Sequence, residues 1–125
     1  MPYTSGFIVN VDEGNNFIST ILNITAVNNS NTVPSNLEII LFQYAGNPLV
    51  KSVVIRELFT IRPLQFAVRN YPLSGYGFEL QFSFFSSLNT AVTAVGFAGP
   101  GGTISTQYFL QNDFQYIDRF TVMGV

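Results

Sequence analysis

The strongest constraint on the fold is a two-residue alternation of apolar and polar side chains that recurs along the chain. It is clearest in residues 76–84, where Phe78, Leu80, Phe82 and Phe84 take every second position. Gly, Pro, Asn and Ser interrupt the alternation about every ten residues, which is typical of short strands joined by turns. Successive side chains of a strand point to opposite faces. We therefore expect these four side chains in the core and the intervening ones in water: Glu79, Gln81 and Ser83.

Nine segments carry this strand pattern, and none carries a helical period. They are residues 7–11, 17–27, 37–44, 49–59, 65–70, 76–84, 90–98, 103–110 and 114–122. With 125 residues the chain suits one domain. The sequence predicts an all-β, jelly-roll-like antiparallel β-sandwich of eight or nine strands. We expect an N-terminal connector or first strand over residues 1–16 and the β-sandwich domain over residues 17–125.

Two of the predicted strands have apolar residues on both faces. The outward face of residues 37–44 carries Ile40, Phe42 and Tyr44, and apolar residues run consecutively over positions 53–55. A strand that is apolar on both faces has to be covered on both. In a two-layer sandwich we expect nothing in the chain to be left over for this purpose, so other copies of the chain or a partner should cover the outer face.

Charged residues make up only 10% of the chain, against about 25% in a typical soluble domain. Lys51 is the only lysine. Exposed sheet edges are usually protected from strand addition by charged residues, lysine above all. With one lysine to place, the chain is expected to associate, first of all with copies of itself.

The residue types that carry most enzyme chemistry are missing. The chain has no His and no Cys, so triads that need His, thiolate nucleophiles and the commonest transition-metal ligands are excluded. Glu38, Glu57 and Glu79 lie on separate predicted strands and are expected to be solvated surface acids and not a catalytic pair. We expect no enzyme activity and no cofactor. A calcium site in the polar turn of residues 12–16 is an open alternative to an ordinary turn.

Nucleic acid and membrane are not expected as partners. The net charge is -2 without any cluster of Lys and Arg, which binding to a phosphate backbone would need. No apolar run approaches the ~18 residues of a membrane helix. Residues 1–6 lack the basic and apolar regions of a secretory signal. We therefore expect a chain that is intracellular, released by a lysing cell, exported by another route, or present here in its mature form.

The N-terminal segment is the candidate connector between subunits. Its apolar and aromatic positions are Tyr3, Phe7, Ile8, Val9 and Val11, ahead of the polar turn. Such a segment can complete its own sheet or add a strand to a neighbour. If neighbours join head to tail, the symmetry does not close and a filament results.

Five segments follow one another in a recognisable order: 24–30 (ITAVNNS), 37–42 (LEIILF), 62–64 (RPL), 77–82 (GFELQF) and 95–97 (VGF). Over about residues 17–118 this order resembles small β-sandwich proteins on the spore surface of endospore-forming bacteria, in particular endospore appendage fibre subunits. The resemblance implies a jelly-roll subunit, an N-terminal connector, fibres, a spore-surface location and other spore-surface proteins as further partners. Appendage subunits carry cysteines in the connector. This chain would be a cysteine-free variant, joined by non-covalent strand insertion of residues 1–16.

The leading hypothesis is therefore a self-assembling structural subunit of an extracellular or spore-surface fibre. One alternative is a carbohydrate-binding or adhesin module, since some of the thirteen Phe and six Tyr could stack on sugars. Another is a viral jelly-roll coat or decoration protein, which is physically almost the same object.

Overall fold

The structure, a computed structural model, describes residues 2–11, 18–85, 89–98, 103–109, 114–117 and 119–121. All regular structure in these residues is β-strand, as predicted. The ten strands are β1 (Pro2–Thr4), β2 (Ile8–Val9), β3 (Ile21–Asn28), β4 (Ser35–Ala45), β5 (Val50–Ile61), β6 (Phe66–Pro72), β7 (Gly77–Phe84), β8 (Thr90–Ala98), β9 (Thr103–Phe109) and β10 (Gln115–Tyr116).

Most of the strands pair as one long antiparallel ribbon centred on the β4–β5 hairpin. β4 pairs with β5, β3 pairs with β6, and β1 and β2 pair with β7, so the pairs nest outward from the turn at residues 46–49. The ribbon is rolled up, because β4 also pairs with β7 and β3 also pairs with β8. β9 continues beyond β8, and β10 continues beyond β1.

Rolling the ribbon divides the strands between two antiparallel sheets. The six-stranded sheet has the order β10-β1-β7-β4-β5, with β2 also paired to β7, and the four-stranded sheet has the order β6-β3-β8-β9. Alternate side chains from both sheets meet in a single core, as in a β-sandwich. Its members include Leu22, Ile24 and Val92 from the smaller sheet and Leu37, Ile39, Leu80 and Phe82 from the larger one.

β7 is buried along its whole length. The predicted core positions Phe78, Leu80, Phe82 and Phe84 do lie in the core. The prediction that the other face is wet is wrong, since Glu79, Gln81 and Ser83 are also buried. Alternation determines which side chains point outward, but it does not determine whether another part of the chain covers them.

A β-bulge explains the apolar run at residues 53–55. Leu41 lies opposite Ile55, whereas its neighbour Phe42 lies opposite Val53, so the register shifts by one and Val54 is an extra residue in β5. The inference that this strand needs covering on both faces is wrong at Val53, which is exposed.

The N-terminal residues form two short strands where one was expected. β1 and β2 lie along the same strand, β7, and Gly6 separates them with a φ of 69°. The last predicted strand, residues 114–122, is reduced among the described residues to the two residues of β10. The proposed boundary between residues 16 and 17 lies outside the described residues.

Candidate functional site

A buried polar cluster lies on the outer face of the six-stranded sheet. We call it the Glu79 cluster; it consists of Glu79 and the four side chains that donate to it. Lys51 Nζ lies 2.7 Å from Oε1, and the Tyr44 hydroxyl donates to the same oxygen at 2.8 Å. Gln81 Nε2 donates to Oε2 at 2.9 Å, and the Thr4 hydroxyl also donates to Oε2. Each carboxylate oxygen thus accepts from two donors.

Four strands bring the cluster together through their register. Tyr44 of β4 lies opposite Lys51 of β5, and Thr4 of β1 lies opposite Gln81 of β7. Directly opposite residues of an antiparallel pair share a face, so all of these side chains lie on the side of the sheet away from the core. The amine of Lys51 also lies 4.4 Å from the centre of the Phe42 ring, close enough for a cation–π contact.

The surroundings of Glu79 keep it ionised. Burial alone would raise its pKa, but the hydrogen bonds from Lys51, Thr4, Gln81 and Tyr44 outweigh this and lower the pKa from 4.5 to about 2. Burial, together with the bond to Glu79, raises the pKa of the Tyr44 hydroxyl well above its ordinary value. A carboxylate with this pKa is ionised at neutral pH, and its four donors hold it in one position.

The other two glutamates of the sheet are far from Glu79 or on the opposite face. Glu38 shares its face but lies opposite Ser83, four residues from Glu79 along β7, a separation of about 14 Å at ~3.4 Å per residue. A glycosidase pair needs about 5 to 10 Å. Glu57 points inward to β6, where it accepts from the Tyr71 hydroxyl and pairs with Arg69 at 3.4 Å.

The predicted outward face of β4 does point away from the core, but the chain itself covers it. Ile40 is 0% exposed and Phe42 is 2% exposed, while Tyr44 is half-buried in the Glu79 cluster. The Thr121 backbone N–H donates to Gln81 Oε1 at 3.0 Å, and Gln81 lies opposite Ile40. Thr121 therefore lies over this face. The expectation that nothing in the chain was left to cover it is wrong.

The predicted connector residues lie within the chain's own sheet. Tyr3 stacks on Phe82, with 5.4 Å between ring centres, and Ile8 packs against the core. Val9 lies opposite Gly77 of β7, and Val11 is half-buried. This placement is the first-strand alternative; whether the same residues connect subunits stays a prediction.

Phe7 packs across a glycine of the neighbouring strand. Its side chain is 45% exposed, and its ring meets that of Tyr44 edge-on at 4.7 Å between centres. A Cβ at Gly77 would lie 2.4 Å from the Phe7 ring and 2.8 Å from the Ile8 carbonyl oxygen. Only glycine allows this close approach of β2 to β7.

β5 and β6 are the edges of the two sheets on one side of the sandwich, which we call the β5–β6 side. Their charged residues all form ion pairs within the chain: Lys51 with Glu79, Arg56 with Glu38, and Arg69 with Glu57. Seven of the thirteen large hydrophobic side chains that are exposed in the described residues lie in or beside these strands: Leu49, Val50, Val53, Leu58, Leu64, Phe66 and Val68.

The outer face of the four-stranded sheet has no charged residue among its described side chains. Alternation places the core members Leu22, Ile24 and Ala26 of β3 on the inner side, so the intervening residues and their register partners lie outside. We call this surface the uncharged face; its described members are Ile21, Asn23, Thr25, Val27, Phe66, Val68, Asn70, Pro72, Ala91, Thr93 and Val95. On it, Asn23 donates to Asn70 at 2.9 Å.

Two further features were sought in the described part of the chain. No group of three or more acidic residues there is arranged to hold a metal ion, and the predicted calcium turn at residues 12–16 lies outside the described residues. No helix in that part of the chain is long and apolar enough to cross a membrane.

Comparison with known proteins yields no relatives: no family model, no curated protein and no solved structure matches this chain.

Sequence reasoning missed the Glu79 cluster and the role of Thr121. Glu79 was expected to be solvated, and Lys51 to be available for an edge. No sequence signal placed Lys51 beside Glu79, because the contact follows from the register of β4 with β5 and with β7. The contacts of the cluster join residues up to 75 positions apart in sequence, such as Thr4 and Glu79 or Lys51 and Thr121, which no local pattern connects.

Proposed function

We propose that this chain is a self-assembling structural subunit of an extracellular or spore-surface fibre. The observation that carries the proposal is the β5–β6 side, where two long edge strands expose apolar side chains and every charged residue within the two strands is held in an ion pair within the chain. The exposed Arg62 lies in the connection between them. Lys51, the residue best suited to guard an edge, extends over the sheet face to Glu79, two strands further in. An unguarded edge of this kind favours the addition of a further strand.

The two ends of the sheets differ, which favours head-to-tail joining. One edge of the six-stranded sheet is the twelve-residue strand β5, and the other is the two-residue strand β10. An interface between unlike edges continues into a filament when its rotation does not close into a ring. Main-chain hydrogen bonds would then extend both sheets from one subunit to the next.

The connector role of residues 1–16 belongs to the same proposal. β1 fills the position between β7 and β10 of its own chain, and the same segment of a neighbour would fit there by exchange. If β1 of each subunit pairs with β7 and β10 of its neighbour, every contact within a subunit is replaced by the same contact between subunits. Such an exchange would join subunits into a filament without requiring any new type of contact. The spore-surface location rests on the resemblance of the strand order alone.

We also propose the jelly-roll topology for this sandwich. The nested pairs β4·β5, β3·β6 and β1/β2·β7 support it, because a jelly roll is a long antiparallel ribbon rolled into two sheets. In this chain β9 occupies the place beside β8 where the outermost strand of such a ribbon would lie.

The test is the association state of the purified chain. We expect sedimentation velocity and negative-stain electron microscopy to reveal filaments or open-ended oligomers as the protein concentration rises toward about 500 µM, a range that reaches weak interfaces. Leu58→Lys, at a β5 side chain that is 64% exposed, should shorten or abolish them. Thr32→Lys, in an exposed turn, is the matched control and should assemble like the original protein.

A chain that remains monomeric over this range contradicts the proposal. If the same monomer showed saturable binding on a glycan array, the carbohydrate-binding module would take its place.

A further inference from the structure

We propose that two copies of this chain exchange their C-terminal segments, each copy placing its segment in the other's seat. The C-terminal segment is described over residues 114–117 and 119–121, and its seat consists of the groups that hold it in its own chain. The inference goes beyond the proposed function, because it concerns the side of the sandwich opposite the β5–β6 side. There β9 and β10 are the edge strands.

Three kinds of contact hold the C-terminal segment in its seat. Phe114 is buried in the core, with its ring edge-on to that of Phe82 at 4.9 Å between centres. β10 adds a strand to β1. Further along, the Thr121 backbone N–H donates to Gln81 Oε1 at 3.0 Å. A buried aromatic anchor combined with main-chain pairing is also how a strand of one chain docks on the sheet of another.

The seat needs an occupant. Without the segment, the core would have a cavity in place of Phe114, which is unfavourable. Tyr3 would lose the edge-on contact with Tyr116, at 6.1 Å between ring centres, and Gln81, which is 1% exposed, would lose the Thr121 N–H. Exchange keeps every one of these contacts and only moves them between copies, so its main cost is bringing two copies together.

The two terminal segments differ in how firmly they are attached. β1 lies inside the sheet, between β7 and β10, and the Asn10 side chain fixes the end of the N-terminal segment through two hydrogen bonds of 2.9 Å to the Ser19 backbone. β10 is an edge strand, and its only strand partner in the described part of the chain is β1, over two residue pairs. Segments held by few main-chain bonds open at the lowest free energy. The C-terminal segment is therefore the one expected to exchange.

The length of chain ahead of the segment limits which neighbour can accept it. β9 ends at Phe109, and the chain from there to Phe114 can span at most about 17 Å. A neighbour must therefore present its own seat close to the end of β9, so the two copies meet through their β9–β10 sides and exchange reciprocally. This two-fold contact leaves both β5–β6 sides free. Two different two-fold contacts on opposite sides of a subunit also build an open chain, so a fibre can contain exchanged pairs.

Because the chain has no cysteine, single-cysteine variants of the full chain test the exchange directly. Tyr3 lies opposite Tyr116, so in an exchanged pair Tyr3→Cys of one copy meets Tyr116→Cys of the other, close enough for a disulfide. Without exchange neither variant has a partner thiol. The two variants, one of them isotope-labelled, are mixed at about 500 µM, oxidised and analysed by mass spectrometry. We expect at least roughly fivefold more mixed dimer than from Tyr116→Cys with Thr32→Cys, a cysteine in an exposed turn.

A second mixture identifies the segment that exchanges. Pro2 lies opposite Ser83 in the β1–β7 pair, which stays within one chain when only the C-terminal segment exchanges. Pro2→Cys mixed with Ser83→Cys should therefore give no more mixed dimer than the control mixture. Circular dichroism checks that each variant is folded. If Tyr3→Cys is not, Pro2→Cys with Ile117→Cys replaces the first pair, because the Ile117 N–H donates to the Pro2 carbonyl at 2.9 Å.

The outcomes separate this inference from the proposed function. Mixed dimers from the first pair alone support exchange of the C-terminal segment, and if no filaments accompany them they contradict the fibre. Mixed dimers from both pairs would show that β1 exchanges, which contradicts the assignment to the C-terminal segment. Filaments without mixed dimers above the control level overturn the exchange and leave the fibre standing.

Discussion

Glu79 combines a nearly complete burial, at 7% exposed, with a negative charge that four donors hold in place. Its neighbours matter as much as the carboxylate, because a buried ion pair is only as good as the bonds that satisfy both partners. Removing Glu79 leaves the half-buried Lys51 without its partner, and removing Lys51 leaves the buried carboxylate without its cation. The hydrogen bonds of the Glu79 cluster on the outer face of the six-stranded sheet therefore depend on the Glu79 carboxylate.

Stability at low pH should depend on Glu79. Its pKa is lowered on folding from 4.5 to about 2, so its contribution is fully present above about pH 4.5 and is lost as the pH falls toward 2. A shift of this size corresponds to about 3 kcal/mol. We expect Glu79→Gln to lower the free energy of unfolding by about 3 kcal/mol at neutral pH, and the difference from the original protein to shrink toward pH 2, as measured by urea denaturation across that range.

Glu38→Gln provides the matched control for Glu79→Gln. Glu38 pairs with Arg56, whose side chain is largely exposed, and exposed pairs contribute at most about 1 kcal/mol. Equal losses in the two variants would show that the Glu79 cluster does not have the role assigned to it.

Gly77 should tolerate no side chain. The methyl group of Gly77→Ala would meet both the Phe7 ring and the Ile8 carbonyl oxygen, and such overpacking is unfavourable by about 1 to 3 kcal/mol. The double variant Phe7→Ala/Gly77→Ala should recover only part of the loss, since the carbonyl is backbone and remains. Thermal unfolding of the original protein and of these two variants measures this, and an unaffected Gly77→Ala would contradict the close approach of β2.

At the scale of elements, the sequence does not indicate the role of residues 117 and 119–121. Ile117 N–H donates to the Pro2 carbonyl at 2.9 Å, and Thr121 then reaches Gln81 and Lys51 across the face of Ile40 and Phe42. The segment thus joins the first strand of the chain to the Glu79 cluster. Thr121 thus lies on the same face as Ile40 and Phe42, which are 0% and 2% exposed.

Thr121→Val should weaken this attachment. The Thr121 hydroxyl accepts from Gln81 Nε2 at 2.8 Å and from Lys51 Nζ at 3.2 Å, and valine removes that acceptor while keeping the shape. We expect a loss of about 1 to 2 kcal/mol in the free energy of unfolding. Thr60→Val, which removes only an exposed bond to Asn36, should change it by less than about 0.5 kcal/mol. Chemical denaturation compares the two, and equal effects would contradict the attachment.

At the scale of the whole molecule, charge is divided between the two sheets. The larger sheet has paired charges on its outer face and a covering segment, and the smaller sheet presents the uncharged face. One side of the sandwich ends in long strands, and the other side of the six-stranded sheet ends in a short one. The two edges of the six-stranded sheet therefore differ in strand length, and the outer faces of the two sheets differ in charge. Both differences would give each subunit a defined orientation in an ordered assembly.

The salt dependence of assembly should reflect this division. Because the proposed contacts are apolar or use main-chain bonds, raising NaCl from about 0.05 to 1 M should not dissociate the assembly, although it screens exposed charges. Ammonium sulfate should strengthen it, since sulfate is excluded from protein surfaces. Sedimentation or light scattering at matched protein concentrations measures both effects, and dissociation by NaCl would indicate that charged contacts hold the assembly instead.

The sequence by itself determined the local features of this protein. Period-two alternation located most strands and the core residues of β7, and the missing His and Cys excluded the corresponding chemistry. All of these depend on neighbours in the chain, whose side-chain direction follows from backbone geometry.

Tertiary structure alone decided what happens on the outer faces. Lys51 of the edge strand β5 pairs with Glu79. The chain itself buries Ile40 and Phe42. The uncharged residues of β3, β6 and β8 lie on one surface. Each of these follows from the register between strands far apart in sequence. A pattern along one strand tells which way a side chain points, and only the rolled ribbon determines what it meets there.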